Sequence, residues 1–410
     1  MNCPSGYIQA VEGLAKICIP DPNLYRREDG LYEPSWAPVF YNPRMIENRD
    51  ICVALLREEL SRGGSTAIVD PLAATGVRGI RIALEAGVPR GTGIYMGDLS
   101  LDAVRIMELN VKLNNLGEDV VVVHADANEL MYRLARREGV ALGYIDVDPF
   151  GSPTPFINAA VDSVKRYGVV ALTATDLAVL EGRYRSKLLR RYGVVGSKVL
   201  QSKDVAVRAL LSFVARTAAV YDRYIEPLLS YVTSHYVRIY SRVSRGGTMA
   251  SEILGKCLGA LWCCINCSYH QMRPTEDSWS GSTHCPVCGE RLKPVYPVWV
   301  CPISNRDYLG GVLKASSEMH WLRESSRVLL EGIYRASNSN TLTTRLTFVA
   351  RAVKVNPPPV WRVVECLLQK GFAAARSFTY SDGVVTDAPV EDVVECVRSE
   401  TPSCRTSGVE

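Results

Sequence analysis

Gly143-Tyr144-Ile145-Asp146-Val147-Asp148-Pro149-Phe150-Gly151-Ser152 runs apolar and β-branched, then stops on an acid, a proline, an aromatic and a glycine. A short apolar run bounded by turn residues predicts a buried strand, Leu142 to Val147, that delivers a carboxylate and a ring to a cleft. On both sides strands and helices alternate. Ala67 to Asp70, Gly93 to Asp98, Val120 to His124 and Gly168 to Ala174 read as further strands, and Gly79 to Ala86, Ser100 to Asn114 and Glu129 to Glu138 as helices. Such alternation predicts an α/β fold with a parallel, doubly wound sheet and a ligand site at the strands' carboxyl ends.

Those ends carry Asp70, Asp98, Asp126 and Asp148, with Asp176 just past the last strand. One acid after a strand is by default a helix cap; five on one edge of a sheet point to a site. Asp148-Pro149-Phe150 is the most specific of them. A carboxylate can take an N–H from an exocyclic amine, whose delocalised lone pair makes it a poor nucleophile. Pro149 fixes the turn, and Phe150 offers a face for a flat base, a contact worth about 1–3 kcal/mol. Asp146 shares the strand face with Asp148 and reads as structural. The bland alternative is a strand-terminating turn with a buried Phe.

Asp70-Pro71-Leu72-Ala73-Ala74-Thr75-Gly76-Val77-Arg78-Gly79 resembles the first loop of class I methyltransferases in position, with Ala74, Gly76 and Gly79 as its small residues. Asp98, about 20 residues on, is placed to hydrogen-bond the ribose of an adenosine cofactor. A capping role is compatible with that.

The chain has 410 residues, 47% hydrophobic and 22% charged, enough for two or three domains and inconsistent with disorder. The N-terminus has neither a basic n-region nor an apolar h-region, and no apolar run approaches the ~18 residues of a membrane span. The expectation is a cytoplasmic protein with no membrane partner and no evident obligate protein partner. Net charge is only +4, but ten cations oppose two acids between Arg183 and Arg223, a local charge of +8. Arg183-Tyr184-Arg185-Ser186-Lys187 and Arg190-Arg191-Tyr192 interleave cations with rings, which suits a nucleic-acid backbone with exposed bases. A solvated helix face is the alternative.

Among 13 cysteines, Cys3, Cys18, Cys52, Cys366, Cys396 and Cys404 are scattered singly. Cys264-Ile265-Asn266-Cys267 and Cys285-Pro286-Val287-Cys288 are separated by 17 residues, the spacing of a tetrahedral zinc site. Four thiolates close the coordination shell, so the predicted zinc is structural. Clustered pairs in such a chain favour metal over disulfides; Cys263, His270 and His284 are possible substitutes. The pattern further predicts a long helix over about 199–229, a strand from His235 to Val243, a helix around His320 to Arg335, a break at Pro357-Pro358-Pro359, and a helix from Val360 to Lys370. It predicts three parts: 1–255 with an N-terminal arm, a zinc-binding segment 256–300, and a C-terminal α+β part 301–410.

Val39-Phe40-Tyr41-Asn42-Pro43, Asn48-Arg49-Asp50, Ala74-Thr75-Gly76-Val77-Arg78-Gly79-Ile80-Arg81, Asp146 to Ser152 and Thr173-Ala174-Thr175-Asp176 together resemble the archaeal form of the tRNA (guanine-N2-)-dimethyltransferases. Ile225 to Ser230, His235-Tyr236-Val237-Arg238 and Thr386-Asp387-Ala388-Pro389 extend the resemblance over most of the chain. It implies a Rossmann-like methyltransferase domain, S-adenosylmethionine as donor, and one then two methyl transfers to guanine N2 at tRNA position 26. It further implies that Arg49 and Arg78 contact the donor, Asp98 its ribose, and Asp126 and Ala127 its adenine. Asp148 would engage the guanine amine, Phe40 and Phe150 would sandwich the base, and 301–410 would help hold the tRNA. The Asp-Pro-Phe turn does not separate guanine from adenine, so an adenine-N6 methyltransferase on RNA or DNA is one alternative. An inactive, zinc-bearing RNA-binding protein is another.

Overall fold

A computed structural model describes residues 2–63, 67–277 and 279–401; Cys404 lies outside them. An antiparallel hairpin, β1 (Tyr7–Glu12) and β2 (Ala15–Pro20), precedes the long helix α1 (Ile46–Ser61). Then come β3 (Ala67–Asp70), α2 (Val77–Glu85), β4 (Ile94–Asp98), α3 (Leu101–Leu113), β5 (Val120–His124), α4 (Ala127–Tyr132), β6 (Leu142–Val147), α5 (Thr154–Ser163) and β7 (Val164–Ala174). The alternation continues through α6 (Leu177–Leu180), α7 (Arg185–Tyr192) and α8 (Ser202–Ala219) to β8 (Arg223–Val232) and β9 (Val237–Arg245).

Seven strands form one sheet in the order β5-β4-β3-β6-β7-β9-β8. Only β9 runs against its neighbours. The strand order reverses between β3 and β6, which opens a crevice above their carboxyl ends. One core packs on each face: Leu130, Ile157, Leu210 and Val214 on one side, Leu55, Ile80, Met107 and Tyr240 on the other.

The long helix expected over 199–229 ends at Ala219. Asp222 turns the chain with φ +52°, and Arg223 starts β8. Apolar residues fall on both faces of β8, so its period does not separate helix from strand. Pro227 sits on the sheet's last strand at a register shift against β9, a place where a strand tolerates a missing N–H.

After α9 (Gly247–Cys257), β10 (Leu258–Cys263), β11 (His270–Pro274) and β12 (Lys293–Trp299) form a small antiparallel sheet. The next helix, α10 (Arg306–Ser317), has no counterpart in the sequence reading, because Gly310-Gly311 argues against one. Gly311 serves close packing: a Cβ there would collide with the Glu58 carboxylate of α1. α10 and α11 (Glu324–Ala336) bury Tyr308, Leu309, Val312, Leu330 and Ile333 in the same core as α1. A separate small core belongs to β13 (Thr344–Arg345), α12 (Leu346–Ala352), α13 (Val360–Gln369), β14 (Ala374–Arg376), β15 (Gly383–Thr386) and α14 (Val390–Ser399).

The preference for metal over disulfides, read from the clustered C-x-x-C pairs, fits those four cysteines, and six other cysteines are joined in three pairs. Cys3–Cys18, Cys257–Cys301 and Cys366–Cys396 are disulfides. Their separations of 15, 44 and 30 residues carry no local signal. Each pair is brought together by topology, the last by the packing of α13 on α14.

Candidate active site

The crevice between β3 and β6 holds a cavity of about 620 Å³ lined by Phe40, Arg49, Asp70, Arg78, Asp98, Asp148 and Phe150, among others. The loop from β3 to α2 forms one wall. It turns through two left-handed residues, Ala74 (φ +50°) and Gly76 (φ +75°). The Ala74 N–H donates to Asp98 Oδ2 at 3.0 Å, and the Ser100 N–H to Oδ1 at 2.9 Å. The acid after β4 thus stands fixed at the cavity edge with lone pairs to spare.

The floor is a charged cluster. Arg78 is almost fully buried; its Nη2 donates to Asp148, its Nη1 donates to Asn48 at 2.9 Å, and its Nε lies 3.5 Å from Asp146. Arg238, from β9, donates twice to Asp146, at 3.0 and 2.5 Å, and the Tyr144 hydroxyl adds a third bond at 2.7 Å. Burial pushes the Asp146 carboxyl up, but Arg238 and Arg78 outweigh it and hold it at about 2. Asp146 is therefore a structural anion, as its position on the buried strand suggested. Asp70 is the opposite case. Burial pushes it up to about 7 against the pull of Arg78, helped by Asp146 and Asp148, and its Oδ1 has no hydrogen-bond partner. With its proton on, Asp70 leaves the floor balanced, Asp146 and Asp148 against Arg78 and Arg238; a cation in the cavity favours release of that proton and then faces a net negative charge. A sulfonium donor is such a cation, and the residues present fit it.

Phe150 is 68% exposed at the cavity mouth. Its ring meets Phe40 edge to face, with centroids 4.5 Å apart and planes at 85°. A base stacked between parallel rings needs about twice the 3.5 Å contact distance, so the pair must part to admit one. The turn itself is held from below. The Gly151 N–H donates to Thr175 Oγ1 and the Thr175 N–H to the Gly151 carbonyl, both at 2.8 Å.

Arg49 lies in the cavity wall with its guanidinium bound twice to Glu12, at 2.6 and 2.7 Å. Glu12 also accepts from Arg81 at 3.1 Å and from the Tyr41 hydroxyl at 2.9 Å. This buried network ties the β1–β2 hairpin to α1 and α2, and through Tyr41 it seats Phe40. Burial raises the Glu12 carboxyl, and Arg49 and Arg81 bring it down to about 2. Asp126 caps α4, accepting from the N–H groups of Asn128 and Glu129 at 2.9 and 3.2 Å. Ala127 is buried behind it, and neither residue is among those lining the cavity. Sequence reasoning assigned no role to Glu12 or Arg238, whose partners lie 37 and 92 residues away, beyond any local pattern; it read Tyr192 as a ring for exposed bases, but Tyr192 is fully buried and donates its hydroxyl proton to Asp176.

The cysteines form a second centre. The sulfurs of Cys264, Cys267, Cys285 and Cys288 lie within 4.8 Å of one another. Cys264–Cys288, Cys267–Cys285 and Cys267–Cys288 are 3.5, 3.2 and 3.8 Å apart. Tetrahedral zinc with Zn–S near 2.3 Å requires about 3.8 Å between sulfurs, so the four fit it. Cys263 and His270 stand outside this group; the His270 ring bonds Thr341 at 2.9 Å.

The sheet order, its single reversed strand and the small-residue loop over the crevice define a class I methyltransferase. The sequence narrows that class. The N2,N2-dimethylguanosine tRNA methyltransferase family matches residues 14–398, and the chain belongs to it. It is 34% identical over 402 residues to the tRNA (guanine(26)-N(2))-dimethyltransferase of Metallosphaera sedula, covering 98% of this chain and 99% of that one. To the Aeropyrum pernix enzyme of the same name it is 36% identical, covering 97% and 98%. The structure of Trm1 from Pyrococcus horikoshii in complex with S-adenosyl-L-methionine aligns with a TM-score of 0.79 at 30% identity, covering 95% of this chain and 99% of that chain.

Proposed function

We propose that the chain transfers methyl groups from S-adenosylmethionine to the exocyclic N2 of guanine 26 in tRNA, first one and then a second. The observation that carries this reading is Asp148, at the mouth of a cavity suited to a cation, in a chain matched end to end by dimethyltransferases. S-adenosylmethionine, when bound, supplies the activated methyl group. The chain's own residues supply the rest. Asp148 accepts the N2–H of the guanine, which raises electron density on nitrogen and removes its proton. The monomethylated amine keeps one N–H, so the same carboxylate serves twice. Arg78 fixes the orientation of that carboxylate. Phe40 and Phe150 part and stack on the two faces of the base.

Arg49, Arg78 and Asp98 hold the donor in this reading; Asp126 and Ala127, expected near its adenine, stand outside the cavity lining and act through the cap of α4. Zinc on Cys264, Cys267, Cys285 and Cys288 has a structural role, and 301–410 contributes to tRNA binding. We place the protein in the cytoplasm, where its substrate is; among the described residues no helix is long and apolar enough to cross a membrane. Nucleoside mass spectrometry of tRNA treated with the protein tests the proposal. Dimethylguanosine is expected, and N6-methyladenosine in its place would overturn it.

A further inference from the structure

The segment from Arg183 to Arg191 enters none of the chemistry above. Its helix, α7, is anchored by two buried side chains, Leu188 and Tyr192. The rest faces solvent: Arg183, Tyr184, Arg185, Lys187, Arg190 and Arg191 are all exposed. Arg183 is paired with Glu181 and Arg191 with Asp176. Arg185, Lys187 and Arg190 have no carboxylate partner among the described residues, and Lys187 sits 5.1 Å over the Tyr184 ring. Lys187 and Arg190, one turn apart at i,i+3, are like charges that repel, a local cost that a polyanion would relieve.

The position of this ridge matters as much as its charge. Buried Tyr192 donates its hydroxyl proton to Asp176 at 2.6 Å, and the same oxygen lies 2.8 Å from Ser152 Oγ. Ser152 follows the Asp148-Pro149-Phe150-Gly151 turn and lines the cavity, as does Thr175, next to Asp176. One end of α7 is therefore bolted to the turn that presents the Asp148 carboxylate. A helix of eight residues is about 12 Å long, enough to lie along a few consecutive phosphates.

We infer that α7 is a phosphate clamp for the RNA strand that carries the target base, with Arg185, Lys187 and Arg190 contacting the backbone beside the target nucleotide. This rests on the reading that the substrate is tRNA. The ridge fixes the strand in register with the turn, so binding energy from phosphates positions the amine at Asp148. An acidic protein is the competing occupant.

The test is the triple variant R185S/K187S/R190S, whose exposed positions leave the core untouched. A control, R90S/R137S, removes two exposed cations from the opposite edge of the sheet. The affinity for tRNA is measured by filter binding across a salt series, and KM for tRNA and for S-adenosylmethionine by methyl transfer. The expected result is a loss of roughly tenfold or more in tRNA affinity and a salt slope shallower by about 2, near 0.7–0.9 per lost phosphate contact. KM for tRNA rises in step, KM for S-adenosylmethionine holds, and the control matches wild type. An unchanged tRNA affinity and salt slope in the triple variant overturns the inference, as does an equal loss in the control. Wild-type protein that binds tRNA through the ridge yet forms no dimethylguanosine would overturn the proposed reaction while supporting the clamp.

Discussion

The Arg78 guanidinium donates directly to the Asp148 carboxylate, so the acid at the cavity mouth is oriented by a cation that is itself held by Asp146 and Asn48. Only one Asp148 oxygen is engaged in that pair, and the carboxylate keeps acceptor capacity toward the cavity. Asp148→Asn preserves the shape and removes the proton acceptor. Methyl transfer should fall by about 10²–10⁴-fold, the usual worth of a positioned base, with affinity for S-adenosylmethionine nearly intact. Single-turnover transfer and calorimetry separate the two. If donor affinity fell in parallel, Asp148 would belong to the donor site.

The four thiols predict one tightly held zinc per chain. Cys264→Ser or Cys288→Ser should lose it and lower the melting temperature. The loss should be a fraction of the ~10–16 kcal/mol seen for zinc in isolated finger peptides, because the two large cores of the chain contain none of the four cysteines. Elemental analysis with thermal unfolding reads both quantities. Equal melting temperatures for wild type and variants would speak against a structural metal.

The sheet was legible because its strands are short apolar runs that end in acids, and the bounds of β3, β5 and β6 coincide with those runs. The metal group was legible for the same reason: its ligand pairs are local. Long-range partners were not. Arg238 reaches Asp146 from β9 across 92 residues, and Glu12 meets Arg49 only because a hairpin folds back on α1. Nothing in the spacing of an isolated arginine announces its partner. The closed edge-to-face contact of Phe40 and Phe150 is likewise a property of packing, since sequence names the rings and not their angle.

Cys366–Cys396 joins α13 to α14 and closes a loop with a separation of 30 residues inside the small C-terminal core. In the chain-entropy account such a link stabilises by about 3–4 kcal/mol. Cys366→Ser should therefore open that unit at a lower temperature than the rest of the chain. Limited proteolysis on heating, with cleavage sites mapped by mass spectrometry, would locate early cuts in 341–401. A variant cut no sooner than wild type would show that packing alone secures the unit.

Asp70 gives the fold a pH dependence of definite sign. Burial raises its carboxyl from the ordinary 3.8 to about 7. Between those values the folded chain retains a proton that the unfolded chain has released, so its contribution to stability falls as pH rises and levels off above about 7. Asp70→Asn cannot ionise and escapes that decline. Relative to wild type it should gain stability through this window by up to a few kcal/mol, at ~1.4 kcal/mol for each pH unit crossed. Denaturant unfolding without donor at pH 4.5 and pH 8 measures the change. The same argument links Asp70 to the ligand: a cation in the cavity lowers its pKa, so S-adenosylmethionine should displace a proton near neutral pH in wild type and not in Asp70→Asn. A stability difference independent of pH would mean that Asp70 stays ionised in the fold, and that the cavity's excess negative charge is already present before the donor arrives.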